Sequence, residues 1–134
     1  MIGRPYPLIF EDMHHEFTKL QVYSRSVELA VKVVAFCDSI RPYRLGEQVA
    51  ASSFSIASNI AEGASRGTDK QFVTFLYYAN GSTSELYTQL DILNKSGRYP
   101  EIEYSLLMSE CVQIGKMLYK LIERIKSQTP RVNV

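Results

Sequence analysis

The fold is decided by the stretch from Asp69 to Leu93, which reads DKQFVTFLYYANGSTSELYTQLDIL. Its seam residues step by 4, 3, 4, 3, 4 and 3 positions through Phe72, Leu76, Ala79, Thr83, Leu86, Leu90 and Leu93. A spacing that averages 3.5 residues is typical of a helix that packs lengthwise against other helices. The sequence therefore predicts a long helix that starts near Asp69 and has one continuous buried face.

Signals at the ends of this helix place its neighbours. Thr68 and Gln71 form a capping-box pattern at its start, and Gly97 ends it. Upstream, Gly63 is well placed for a left-handed cap that ends the preceding helix. Downstream, Pro100 is expected to open a further helix from its first turn. The long helix is therefore predicted to be the third of four.

The other three helices are predicted from their apolar faces. A first helix runs from Lys19 to about Ser39 with its face at Tyr23, Val27, Ala30, Val31 and Val34. A second runs from about Leu45 to Ala61, after Pro42 interrupts the chain, with its face at Leu45, Val49, Ser52, Ile56 and Ile60. The fourth repeats the 4, 3 stepping at Leu107, Cys111, Ile114, Leu118, Leu121 and Ile125.

Four long helices with short connections predict an all-α fold, an antiparallel up-down-up-down four-helix bundle. The bundle is expected over residues 17–128, between an N-terminal arm at 1–16 and a C-terminal tail at 129–134. The fourth helix has a second apolar line at Tyr104, Met108, Met117 and Ile122. Either self-association covers this line, or the helix is wedged more deeply between its neighbours.

Composition and charge exclude several classes of protein. The 134 residues fit one domain, and 46% hydrophobic with 22% charged residues is typical of a folded globular chain. Fifteen Lys and Arg oppose fourteen Asp and Glu, so a net charge of +1 gives no global attraction for nucleic acid or membrane. Without a signal-peptide pattern or an apolar stretch long enough for a span, the expected location is the cytoplasm, with no membrane partner.

Candidate chemistry is sparse. Cys37 and Cys111 have no zinc or redox spacing and are predicted to be buried, reduced thiols, although a disulfide is not excluded by counting. The G-x-S-x-G match at residues 63–67 follows a helix rather than the strand that a hydrolase needs. The adjacent histidines His14 and His15 cannot share one helix face as metal ligands would. We expect no catalytic residue, no metal and no cofactor.

Two acidic residues, Glu62 and Glu85, are the only acids in charge-poor stretches. A carboxylate pair would suit acid–base chemistry, but no nucleophile, phosphate-binding glycine loop or metal partner accompanies them. Structural roles are favoured, with Glu62 near a helix end and Glu85 hydrogen-bonded between helices.

The strongest local charge pattern lies in the fourth helix, where Lys116, Lys120 and Arg124 follow one another at intervals of four residues. Lys126 and Arg131 lie beyond them, and Glu123 is the acid among them. Such a stripe is suited to contact phosphates. It also fits a solvated helix face, because cations are favoured near the C-terminal end of a helix.

The sequence resembles the small four-helix-bundle proteins encoded in intervening sequences of bacterial 23S ribosomal RNA genes, whose relatives include the accessory variability determinants of diversity-generating retroelements. The resemblance covers roughly residues 17–127. It rests on the opening of the first helix at 17–23, on Ser-Ile-Ala-Ser-Asn-Ile-Ala-Glu-Gly at 55–63 with Arg66 after it, and on Phe-Leu at 75–76 followed by Gly-Ser at 81–82 and Glu-Leu at 85–86.

The resemblance implies an antiparallel bundle assembled as a ring-shaped homopentamer, with no established enzymatic activity and a suspected nucleic-acid or ribonucleoprotein role. The sequence departs from the family pattern at Ala50 and Ala51, where the family tends to have two basic residues. The motif residues have a structural reading, in which small side chains let helices approach and polar ones satisfy each other. These residues are Asn59, Glu62, Gly63, Gly81, Ser82 and Glu85.

The leading hypothesis is a non-enzymatic cytoplasmic assembly protein that associates with itself and engages RNA, DNA or a nucleic-acid-bound protein. The competing hypothesis is a protein-binding scaffold without nucleic-acid contact, for which a near-neutral bundle is equally suited. An unrecognised enzyme is a distant third.

Overall fold

The computed structural model describes Phe17 and residues 20–128, which fold as an all-α bundle of four helices. The helices are α1 (Gln21–Cys37), α2 (Tyr43–Ala64), α3 (Asp69–Ser96) and α4 (Tyr104–Gln128). Each packs against the next, and α1 also contacts α4, so the four enclose one core. Within the described residues there is no strand. The predicted arm at 1–16 with His14 and His15, the predicted helix start at Lys19 and the tail at 129–134 lie outside them.

None of the four helices combines the length and the hydropathy that a membrane span requires.

The two seams with 4, 3 stepping are confirmed. All seven predicted seam residues of α3, from Phe72 to Leu93, are buried, and so are all six of α4, from Leu107 to Ile125. The ends of α3 are also as predicted. Thr68 Oγ1 accepts a hydrogen bond from the Gln71 amide at 3.2 Å, and Gly97 has the left-handed conformation.

The predicted face of α1 is wrong. Its core residues are Val22, Ser26, Leu29, Ala30, Val33 and Cys37. Of the predicted face only Ala30 is buried, whereas Val27, Val31 and Val34 are exposed. The helix has two apolar lines, and the buried one includes a serine. Ser26 is fully buried because its hydroxyl donates to the Val22 carbonyl oxygen at 2.7 Å, so the helix itself satisfies the group.

The predicted face of α2 is confirmed at Val49, Ser52, Ile56 and Ile60, while Leu45 is exposed. The expected cap at Gly63 is wrong, since α2 continues to Ala64 and the left-handed glycine of this turn is Gly67. Gly63 has a different reason to be glycine. A Cβ there would lie 2.6 Å from the Phe75 Cβ, so its missing side chain lets α3 approach closely.

The predicted helix start at Pro100 is also wrong. The chain makes a turn from Tyr99 to Ile102, in which the Ile102 amide donates to the Tyr99 carbonyl, and α4 begins at Tyr104. Pro100 occupies the second position of this turn, which suits its fixed φ. The turn buries Ile102 in the core before the helix begins.

The second apolar line of α4 is covered largely within the chain. Tyr104 and Ile122 are buried, and Met108 and Met117 are half-buried against the core. Of the two explanations for this line, deeper wedging of α4 is the correct one. Self-association therefore loses its original support and needs another surface.

Candidate functional site

The basic stripe of α4 consists of Lys116, Lys120 and Arg124, all of which are exposed. Eight residues of helix place its first and last members ~12 Å apart along the axis. Within the described part of the chain, none of the three side chains forms an ion pair or a side-chain hydrogen bond. All three charges are therefore available to a polyanion.

Two members of the stripe lie at an open groove of about 480 Å³ between the start of α1 and the end of α4. Lys120 and Arg124 line this groove, and Lys116 lies one turn outside it. The other lining residues are Leu20, Gln21, Val22, Met117 and Leu121. The arrangement offers two cations beside apolar groups and one side-chain amide, and the two cations are suited to contact phosphates.

An ion pair outside the groove fixes α1 against α4. Arg25 forms two parallel hydrogen bonds to Glu110, from Nε to Oε2 at 2.9 Å and from Nη2 to Oε1 at 2.5 Å. Hydrogen bonding to Glu110 raises the pKa of Arg25. The Arg25 guanidinium is thus already engaged and does not extend the basic stripe. The acidic group next to the stripe is Glu123, which is exposed.

Two of the family-motif residues, Ser82 and Glu85, join α3 to α2, and a third, Asn59, supports this contact from within α2. The Ser52 hydroxyl donates to Glu85 Oε1 at 2.6 Å, and the Ser82 hydroxyl donates to Ser55 Oγ at 2.8 Å. Asn59 Nδ2 donates to the carbonyl oxygen and to Oγ of Ser55, at 2.8 and 2.9 Å. These contacts support structural roles for Asn59, Ser82 and Glu85. Ser55, which links the network, was not singled out by sequence reasoning, although its spacing of four from Asn59 was a signal.

The remaining motif residues, Glu62, Gly63 and Gly81, have three different environments. Glu62 forms an exposed ion pair with Arg66, one turn later in the chain, at 2.5 Å. Gly63 is required by the close approach of Phe75. Gly81 faces open space, with no atom within 4 Å of a Cβ placed there, so close approach within the chain does not explain it.

The structure does not assemble a catalytic site from the candidate groups. The contacts between residues 52 and 85 and between 55 and 82 place Glu62 and Glu85 ~15 Å apart along the bundle, so they form no carboxylate pair. The Ser65 hydroxyl donates to the Glu62 carbonyl and follows a helix, as expected for a chance G-x-S-x-G match. Among residues 17 and 20–128, no three His, Cys, Asp or Glu side chains are grouped to hold a metal.

The two cysteines are free and buried, as predicted. Burial, aided by Asp38, raises the pKa of the Cys37 thiol from 9.0 to about 11. Burial, aided by Glu110, raises that of Cys111 to about 12. Neutral thiols in such surroundings are poor nucleophiles, so both cysteines serve as packing groups.

These raised pKa values predict a loss of stability at alkaline pH. Below pH 9 both thiols are neutral whether the chain is folded or unfolded, so their contribution is fully present. Between pH 9 and about 11 the unfolded chain ionises first, which lowers the free energy of unfolding. Urea unfolding from pH 7 to 10.5 measures this fall. Cys111→Ala should make it shallower, and an unchanged slope in that variant would contradict the assignment.

Comparisons with a family model and with solved structures point to the same protein family and the same fold. The model of the family described as 23S rRNA-intervening sequence protein matches residues 18–120. Among solved structures, the fold is similar to a crystal structure of a protein of unknown function from the S23 ribosomal protein family of Bacteroides thetaiotaomicron, with a TM-score of 0.69 and 23% identity. That similarity covers 76% of this chain and 95% of the other. A search of curated proteins found no match.

Proposed function

Because the chain belongs to the 23S rRNA-intervening sequence protein family, we propose that it is a non-enzymatic cytoplasmic assembly protein that binds nucleic acid through Lys116, Lys120 and Arg124. The same surface would serve for a partner that presents bound RNA or DNA. The observation that carries this proposal is the stripe of three exposed cations that form no ion pair with any described residue, two of which lie beside an apolar groove. The reduced thiols Cys37 and Cys111 suit a reducing compartment.

The proposal includes the antiparallel up-down-up-down arrangement. It is supported by the hydrogen bonds that join residue 52 to 85 and residue 55 to 82, because the residue number falls along α3 as it rises along α2. Connections of a few residues between long helices favour the same arrangement for the other neighbours.

The proposal also includes self-association into a ring-shaped oligomer, for which the family resemblance implies five subunits. A ring repeats the basic stripe in every subunit. Several weak phosphate contacts on one assembly then act together, so binding becomes appreciable even though each chain has a net charge of only +1.

Replacing Lys120 with Gln should weaken binding to all nucleic-acid sequences alike, because phosphate contacts do not read bases. Each lost phosphate contact should reduce the slope of log affinity against log salt by ~0.7 to 0.9. The fold should survive, since Gln is nearly as good a helix former as Lys. Fluorescence anisotropy of a labelled RNA across a salt series measures both quantities.

The matched control is Lys95→Gln, which removes one exposed lysine from the end of α3, next to its partner Asp91. We expect its affinity and salt slope to match the wild type. Equal losses in both variants would mean that net charge, and not this site, governs binding. An unchanged slope in Lys120→Gln alone would place the site elsewhere.

The second candidate function is a protein-binding scaffold without nucleic-acid contact. It is favoured by the exposed apolar residues of α1 and α2, which include Val31 and Phe54. Phosphate contacts are strongest at low salt. If the protein binds neither RNA, duplex DNA nor an RNA–DNA hybrid at ~50 mM salt, the scaffold function is favoured over the nucleic-acid-binding one.

A further inference from the structure

Tyr119 is an exposed aromatic residue within the basic stripe of α4. It follows Lys116 by three residues, directly precedes Lys120, and is 62% exposed. Residues three apart on a helix are neighbours on its surface, so the ring of Tyr119 lies beside Lys116. Among the described residues, Tyr119 packs against no other ring and its hydroxyl has no hydrogen-bond partner. The ring is therefore available to a ligand that the cations attract.

A second exposed tyrosine, Tyr77 of α3, lies at the same level of the bundle. Gly115 of α4 lies against Asn80 of α3, since a Cβ at Gly115 would be 3.4 Å from Asn80 Oδ1. In the antiparallel arrangement proposed above, three residues back from Asn80 and four residues on from Gly115 lead in the same direction, to Tyr77 and Tyr119. Both steps stay on one side of a helix, and Tyr77 is 41% exposed. The two tyrosines therefore flank the line along which α3 meets α4.

The charges next to Tyr119 favour an anion. Lys116 and Lys120 form no ion pair with any described residue. The exposed acid on this surface is Glu123, which adjoins Arg124 and offsets part of the positive charge there. The positive charge is therefore greatest at the two lysines that lie on either side of Tyr119 in the sequence.

We propose that Tyr119, with Tyr77 beside it, is a stacking platform for the unpaired bases of a single-stranded nucleic acid whose phosphates contact Lys116 and Lys120. Cations that hold the backbone next to aromatic rings that stack on the bases are typical of proteins that bind single strands. In a duplex the bases are stacked on one another and do not offer their faces to a ring. This inference rests on the proposed nucleic-acid binding and assigns its ligand class, which is single strands in preference to duplexes.

Tyr119→Ala should weaken the binding of single-stranded RNA by at least about fivefold, because stacking on an aromatic ring contributes that much or more per base. The slope of log affinity against log salt should keep its wild-type value, since the ring has no charge, whereas Lys120→Gln lowers that slope. Single-stranded DNA should show the same loss, because every base has a π-face, and duplex DNA should show none. Fluorescence anisotropy across a salt series measures these quantities.

Two further variants control for the loss of the ring. Tyr119→Phe keeps the ring and removes only the hydroxyl, so it should restore the affinity that Tyr119→Ala loses. Tyr43→Ala removes an equally exposed tyrosine, at 64%, from the start of α2. The hydrogen bond from the Arg41 amide to the Tyr99 hydroxyl ties that end of the bundle to the turn before α4, far from the last turns of α4. Tyr43→Ala should therefore bind as the wild type does.

Tryptophan fluorescence gives the most direct readout, because the chain has no tryptophan. Tyr119→Trp places a single reporter in the stripe, and its emission should be quenched when a short single-stranded RNA stacks on it. The same reporter at the remote position, introduced by Tyr43→Trp, should keep its emission. Unquenched emission at position 119, or equal quenching at both positions, would overturn the stacking platform. So would an equal loss of single-strand and duplex binding in Tyr119→Ala.

Failure of the stacking platform can be told apart from failure of the proposed function. If the wild type binds single strands and Lys120→Gln lowers the salt slope, but Tyr119→Ala keeps the wild-type affinity, the platform is wrong and the proposed function stands. If the wild type binds no nucleic acid, both are wrong.

Discussion

Leu86→Ala is expected to lower the free energy of unfolding by about 2 to 5 kcal/mol. Leu86 is fully buried in the α3 seam, where it belongs to the main core cluster. Truncation removes the transfer free energy of its side chain and leaves a cavity that close-packed neighbours fill only in part. Urea unfolding at a fixed protein concentration measures the loss, since the stability of an oligomer depends on concentration.

The control for this substitution is Leu106→Ala on α4. Leu106 is a large apolar residue with more than half of its surface exposed. Its truncation should change the free energy of unfolding by no more than ~0.5 kcal/mol. A change below half a kcal/mol in Leu86→Ala would mean that the seam of α3 is misplaced.

Gly46→Ala is expected to cost about 1 to 3 kcal/mol, because its new methyl group has no room. A Cβ at Gly46 would lie 2.3 Å from the carbonyl oxygen of Cys37. That oxygen belongs to the backbone at the end of α1, so relief requires a shift of one helix against the other. Thermal unfolding followed by circular dichroism should show a lowered midpoint.

Gly81→Ala, in contrast, should raise the free energy of unfolding. Nothing lies within 4 Å of a Cβ at Gly81, so alanine there gains helix propensity without a clash. We expect about 0.4 to 1 kcal/mol of added stability. A neutral Gly46→Ala, or equal losses at the two positions, would contradict the packing described for α1 and α2.

The sequence suffices for α3 and α4 because their seams are long and regular. From Phe72 to Leu93 and from Leu107 to Ile125 the 3.5-residue spacing persists over several turns, and one apolar line dominates each helix. Each of these two helices therefore has only one side that is apolar enough to be buried. The sequence also suffices for the cap at Thr68 and for the end of α3 at Gly97, since both depend on local backbone chemistry.

The first helix shows where periodicity is insufficient. It has two apolar lines, and the exposed one contains more valines in regular spacing than the buried one. Hydropathy counts Ser26 as polar and does not register that its hydroxyl is satisfied within the helix. Pro100 illustrates a related difficulty, because proline favours both the first turn of a helix and the second position of a β-turn.

The candidate site was predictable only as a list of cations. Spacing alone places Lys116, Lys120 and Arg124 on one part of α4. It gives no information on the groove beside Lys120, because that groove is made by the start of α1. The pairing of Arg25 with Glu110 joins residues 85 positions apart and depends equally on the tertiary arrangement.

The most direct test of the central claim is the affinity of the wild-type protein for a labelled single-stranded RNA, with duplex DNA and hybrid alongside, measured from ~50 to ~300 mM salt. If the three cations of the stripe each meet a phosphate, binding should be clear at ~50 mM salt, and log affinity for the single-stranded RNA should fall by ~2 per engaged subunit for each tenfold rise in salt concentration. No detectable binding to any of the three nucleic acids at ~50 mM salt, with the protein folded and at micromolar concentration, would contradict the claim that this bundle is a nucleic-acid-binding protein.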